Sequence, residues 1–164
     1  MNKWRIRKCH GNWATLCLFA GILSALLIAA PAFAGLGEDV RSVQADQAHM
    51  QGTLRTTQNA AYTVQEIKSP TGTIVREYVS ASGKVFAVAW QGPWLPDMRQ
   101  ILATYFEPYQ KAVQAQGNSR AARRPLMIEQ PGLVVESGGH MRSFAGRAYI
   151  PDMLPEGVRA EEIR

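Results

Sequence analysis

Glu136-Ser137-Gly138-Gly139-His140 sets a carboxylate, a hydroxyl and an imidazole within five residues. Those are the group types of a hydrolytic triad, in which a base activates a nucleophile and a carboxylate orients the base. The chemistry requires the three to converge in space, which neighbours on one turn rarely do. No G-x-S-x-G elbow occurs anywhere in the chain. His140, Glu136 and Ser137 are therefore weak catalytic candidates. A Gly-Gly hairpin turn flanked by ordinary polar residues is the simpler reading of the same segment.

Metal chemistry has less support. Beyond residue 34 the histidines are His49 and His140, and there is no cysteine. Neither histidine sits in an H-x-x-x-H or H-x-x-E-H spacing. No metal site and no cofactor are expected, and no Gly-rich phosphate loop points to a nucleotide. Trp90 and Trp94 bracket Gln91-Gly92-Pro93. Aromatic side chains on a rigid loop are good anchors for a partner. Trp90 reads as core and Trp94 as the better binding candidate, because no alternation forces it inside. Arg120, Arg123 and Arg124 form a basic cluster in a polar loop, which reads as a solvated segment.

The elements that position these residues follow from pattern. A short helix around 40–51 carries a thin apolar stripe of Val40, Val43 and Met50. Gly52, Thr56, Thr57 and Asn59 read as loop. Strands are expected at 62–67, 73–80 and 84–90, separated by Ser69-Pro70-Thr71-Gly72 and Ser80-Ala81-Ser82-Gly83 turns. In the third, Phe86, Val88 and Trp90 are expected on one face and Val85, Ala87 and Ala89 on the other. Both sets are apolar, which marks a central strand.

Asp97 is the expected N-cap of a helix over about 97–115, with Met98, Ile101, Leu102, Tyr105, Phe106, Tyr109 and Val113 as its stripe. Pro108 is expected to kink it. Strands at 126–129 and 133–136 flank a Pro131-Gly132 turn. Ser137-Gly138-Gly139 reads as a break before a last strand over 141–150. The sum is an α+β domain: an antiparallel sheet of five or six strands packed on one long kinked helix. The tail from Pro151 is expected to wrap the surface or fray.

The first 34 residues address the chain. Lys3, Arg5, Arg7 and Lys8 precede an apolar run over 14–30, and Pro31-Ala32-Phe33-Ala34 closes with small residues. That order is a secretory signal peptide. Cleavage is expected between Ala34 and Gly35, giving a leader over 1–34 and one domain over 35–164 with its core at about 61–150. The alternative is a retained anchor, at the short limit of a bilayer span. Both cysteines, Cys9 and Cys17, lie in the leader, so disulfides and thiol chemistry are absent from the mature chain.

The formal charge of +5 falls to +1 without the leader, with 14 basic against 13 acidic residues. That balance gives no electrostatic case for nucleic acid or for anionic membrane.

Val75-Arg76-Glu77-Tyr78-Val79-Ser80, Gly83 through Pro93 and Gly138-Gly139-His140-Met141-Arg142 resemble domain-of-unknown-function family 2844, small exported proteobacterial proteins. The resemblance implies a Gram-negative source and export past the inner membrane. It implies no activity and carries over no catalytic residues. The reading is thus an exported, periplasmic or secreted, non-enzymatic module for an envelope or extracellular protein or glycan. The alternatives are a small envelope hydrolase using His140 and Glu136, or a secreted hydrolase inhibitor.

Overall fold

The computed structural model describes residues 35–116 and 125–164. The chain divides into two units, Met1–Ala32 and Phe33–Arg164. The expected leader over 1–34 and the Arg120, Arg123 and Arg124 cluster lie outside the described residues.

The second unit is built on a seven-stranded antiparallel sheet: β1 Thr53–Gln58, β2 Tyr62–Lys68, β3 Ile74–Ser80, β4 Val85–Gly92, β5 Leu126–Gln130, β6 Leu133–His140 and β7 Ser143–Tyr149. The spatial order is β1-β2-β3-β4-β7-β6-β5. Two meanders therefore meet at β4 and β7, and β4 is the central strand, as its two apolar faces indicate. The expected count of five or six strands is corrected to seven. The added strand is β1, read from sequence as loop. Its Thr-rich residues pair with β2 from Thr53↔Lys68 to Gln58↔Thr63. As an edge strand exposed almost throughout, it has no apolar alternation to betray it.

One sheet face carries Val75, Val79, Val88, Trp90, Ile128, Leu133, Val135 and Ala148, covered by Leu36, Val43, Ile101 and Leu102. The other carries Tyr78, Phe86, Ala87 and Ala89, covered by Ile163 and by residues of the 151–164 tail. The expected facings of Val85 and Phe86 are corrected: Val85 lies with Val88 and Trp90, and Phe86 with Ala87 and Ala89. Tyr78 pairs with Ala87 and Val79 with Val85, so Phe86 is the extra residue of a β-bulge. The bulge turns its ring into a cluster with Tyr62 and Tyr78, with centroids 5.6–6.2 Å apart.

The helix α1 is Ser42–Met50. The long helix is α2 Met98–Leu102, a 3₁₀ turn Ala103–Tyr105 and α3 Phe106–Gln116. Asp97 caps α2, accepting from the Arg99 and Gln100 amides at 2.9 and 3.3 Å. The kink falls at Ala103, where φ is 46°, not at Pro108. Pro108 is the third residue of α3, where its missing N–H would have had no intrahelical partner. Among the described residues no helix is long and apolar enough to cross a membrane.

Candidate functional site

The chain leaves β4 through Gln91-Gly92-Pro93-Trp94-Leu95-Pro96 and enters α2. Two prolines restrict this crossing. A network below it fixes the main chain. Thr73 Oγ1 donates to the Trp94 carbonyl at 2.9 Å, and Ser69 Oγ accepts from the Thr73 amide at 3.1 Å. The backbone of Trp94 is thus held while its indole is 54 % exposed. Leu95 beside it is also exposed.

A groove of about 210 Å³ opens here, with Trp94, Asp97 and Gln100 among its lining residues, together with Thr73, His49 and Met50. His49 Nε2 stands 3.7 Å from Asp97 Oδ2, with both side chains about half exposed.

The β6–β7 hairpin reaches the same place. Its turn is Met141-Arg142, between the closing pair His140↔Ser143, and not Ser137-Gly138-Gly139. Gly138, Gly139 and His140 are strand residues. Both turn residues have positive φ, 33° and 65°. That is the backbone of a tight two-residue hairpin turn, normally filled by Asn-Gly. Gly139 permits the approach of the strands, since a Cβ there would lie 2.3 Å from the Ser143 carbonyl oxygen. Met141 is 92 % exposed at the tip. The Arg142 guanidinium carbon lies 5.8 Å from the Trp94 ring centroid, within cation–π range.

The residues singled out from sequence separate into two groups. Trp94, Gly138 and His140 belong to the end of the molecule just described. The triad candidates do not converge. Glu136 is held by Arg147, with Nη2 at 2.8 Å and Nε at 3.1 Å. Ser137 is its strand neighbour and points to the opposite face. His140 is exposed, four residues further along β6, roughly 13 Å by strand rise. The reading of Ser137-Gly138-Gly139 as a break is therefore corrected. A strand, not a turn, carries the segment, and a strand spreads its residues. Trp90 is buried in the core, against Gly146. A Cβ on Gly146 would lie 2.4 Å from the Trp90 ring.

Sequence reasoning missed Met141 and Arg142, and it missed a buried acid pair under the groove. Asp46 of α1 and Glu77 of β3 expose none of their surface, and their carboxyl groups lie within hydrogen-bonding reach. Asp46 Oδ1 accepts from Gln100 Nε2 at 2.5 Å. Burial raises both carboxyl pKa values, that of Glu77 well above its ordinary range, with the Asp46 carboxylate raising it further. The signal was present in β3, where Glu77 shares its face with Val75 and Val79.

Among the described residues no three metal-ligating side chains gather. No curated protein and no solved structure matches the chain. A family model described as "Protein of unknown function (DUF2844)" matches residues 32–163. That match covers most of the 164 residues and all but the last residue of the folded unit. The chain belongs to the DUF2844 family.

Proposed function

We propose that this chain is an exported bacterial binding module, periplasmic or secreted, that engages an envelope or extracellular protein through the Trp94–Met141 end and performs no catalysis. One observation carries the reading. Three of the five large apolar side chains exposed on the described surface, Trp94, Leu95 and Met141, are brought to one end, with Arg142 bridging the two loops. Trp, Met and Arg are the residue types that interfaces concentrate. The Trp94 main chain is held by Thr73 and the Met141-Arg142 turn is closed by the His140↔Ser143 pair, which limits the freedom lost on binding. The tight protruding tip at Met141-Arg142 favours a second, narrower form of the reading, an inhibitor that presents this hairpin to one hydrolase.

Export rests on the leader, with its charged start, apolar run and Ala32-Phe33-Ala34 end. In support, the residue expected to follow the cut is already part of the fold. Gly35 is buried, and a Cβ there would lie 2.6 Å from the Gln100 carbonyl oxygen. The mass of the protein recovered outside the cytoplasm is expected to start at Gly35.

Affinity capture from envelope and culture-supernatant extracts tests the binding. The 35–164 chain is expected to retain one saturable partner, and Trp94→Ala is expected to lose it with stability unchanged within about 0.5 kcal/mol. Met127→Ala, at an exposed apolar side chain on β5, serves as the control. Equal capture by Trp94→Ala and the parent would count against this surface.

A further inference from the structure

We infer that Asp46 and Glu77 hold one proton between them, and that this shared proton clasps α1 to the sheet. Helix α1 contributes His49 and Met50 to the wall of the groove, so the consequence for binding rests on the reading above. The clasp itself does not.

The geometry has three parts. First, the apolar grip of α1 on the fold is limited to Val43 and the partly buried Met50. Its buried residues are Ser42, Val43 and Asp46, of which only Val43 is apolar. Its N-cap, Arg41, makes no side-chain capping bond. Second, Asp46 Oδ2 and both oxygens of Glu77 are buried and receive no N–H or hydroxyl donor from the described residues. Two ionised carboxylates there would be unpaired and mutually repulsive in a water-poor interior. One proton removes both problems. Carried by Glu77, it supplies the missing donor to Asp46, whose other oxygen is already held by Gln100.

Third, among the described residues no lysine or arginine faces the pair. The charged groups facing Asp46 are Glu77 of β3, His49 of its own helix and Asp97 ahead of α2. The one facing Glu77 is Asp46. Glu77 is flanked in register by Gln65 of β2 and Val88 of β4, which carry no charge. His49 is itself half exposed and drawn toward Asp97.

The sign follows from linkage. Burial raises the Glu77 carboxyl in the folded state, so the folded chain binds more protons than the unfolded one between the two pKa values. The contribution to stability is complete below the ordinary glutamate value. It is lost as pH rises through the folded value. The chain should therefore hold α1 more tightly in acid.

Hydrogen exchange on the 35–164 chain tests this, with α1 amides referenced to β6 amides and corrected for intrinsic rates. Protection over 42–50 is expected to fall at least tenfold relative to β6 as pH rises through the Glu77 transition. In Glu77→Gln the amide donates permanently to Asp46, and protection is expected to stay level. A pH-independent α1 in the parent, or the same fall in the variant, would overturn the proposal. Carbon-13 observation of the Glu77 carboxyl in the parent needs no variant to fold. Titration above the ordinary glutamate range is expected, and titration at or below it would overturn the clasp. Recovery of α1 protection at high pH on adding calcium or magnesium would also overturn it, in favour of a cation site. These readouts involve no partner, so failure of the clasp and failure of the Trp94 surface are distinguishable.

Discussion

At the scale of single residues, Gly146 and Trp90 decide how the two meanders join. They face each other across β4 and β7. The indole lies where a side chain at 146 would be, and the Glu136 carbonyl oxygen is 2.6 Å from the same point. Gly146→Ala is expected to destabilise by about 1–3 kcal/mol, since neither a ring packed in the core nor a backbone can yield cheaply. A denaturant midpoint measures it.

Residues at this scale were unevenly legible. Trp90 as core and Asp97 as cap came from local pattern, which the fold preserved. Met141 and Arg142 did not, because their positive φ contradicts their own preferences. Only the pairing of β6 with β7 imposes it. The Met141→Asn/Arg142→Gly double variant is expected to stabilise by about 1 kcal/mol by relieving that backbone. On the binding account it should also weaken partner capture. A stabilised chain with undiminished capture would separate the turn from the function.

At the scale of elements, the tail is the clearest case of structure beyond pattern. Its prolines and charges read as a segment that wraps or frays, and it wraps. Ile163 is buried on the outer sheet face, Arg147 Nη1 donates to the Ala160 carbonyl at 2.6 Å, and Tyr78 Oη donates to the Arg164 carbonyl at 2.8 Å. The Arg164 amide donates back to Tyr78 Oη at 3.0 Å. Burial raises the Tyr78 phenol above its ordinary value, so it keeps its proton and can donate. Tyr78→Phe is expected to lower stability by about 0.5–1.5 kcal/mol. It should also speed proteolysis after residue 151 more than elsewhere, as limited digestion with mass readout would show. Elements with an apolar rhythm (β2 to β4 and the 98–116 helix) were readable from sequence. The edge strand β1 was not, because a strand exposed on both faces has no reason to alternate. The bulge at Phe86 was hidden for a related reason. Every residue from Val85 to Trp90 is apolar, so shifting the phase by one left the pattern unchanged.

At the largest scale, covering both faces of the sheet leaves, among the described residues, two edges, β1 and β5, and one end where Trp94, Leu95 and Met141 collect. The near-neutral charge of residues 35–164 argues against steering by charge alone, so on the binding account shape and apolar contact define the partner. The site as a unit was not legible. Its two loops are separated by more than forty residues, and only the β4–β7 pairing brings them together. That pairing is non-local, which no periodicity reports.

The most direct test of the binding account is a hydrogen-exchange footprint of the 35–164 chain, with and without the partner recovered by capture. Slowed exchange at Trp94-Leu95 and at His140–Ser143, with β1 and β5 unchanged, is the expected result. Slowed exchange confined to the β1 or β5 edge or to the 151–164 tail, with Trp94 and Met141 unaffected, would contradict it.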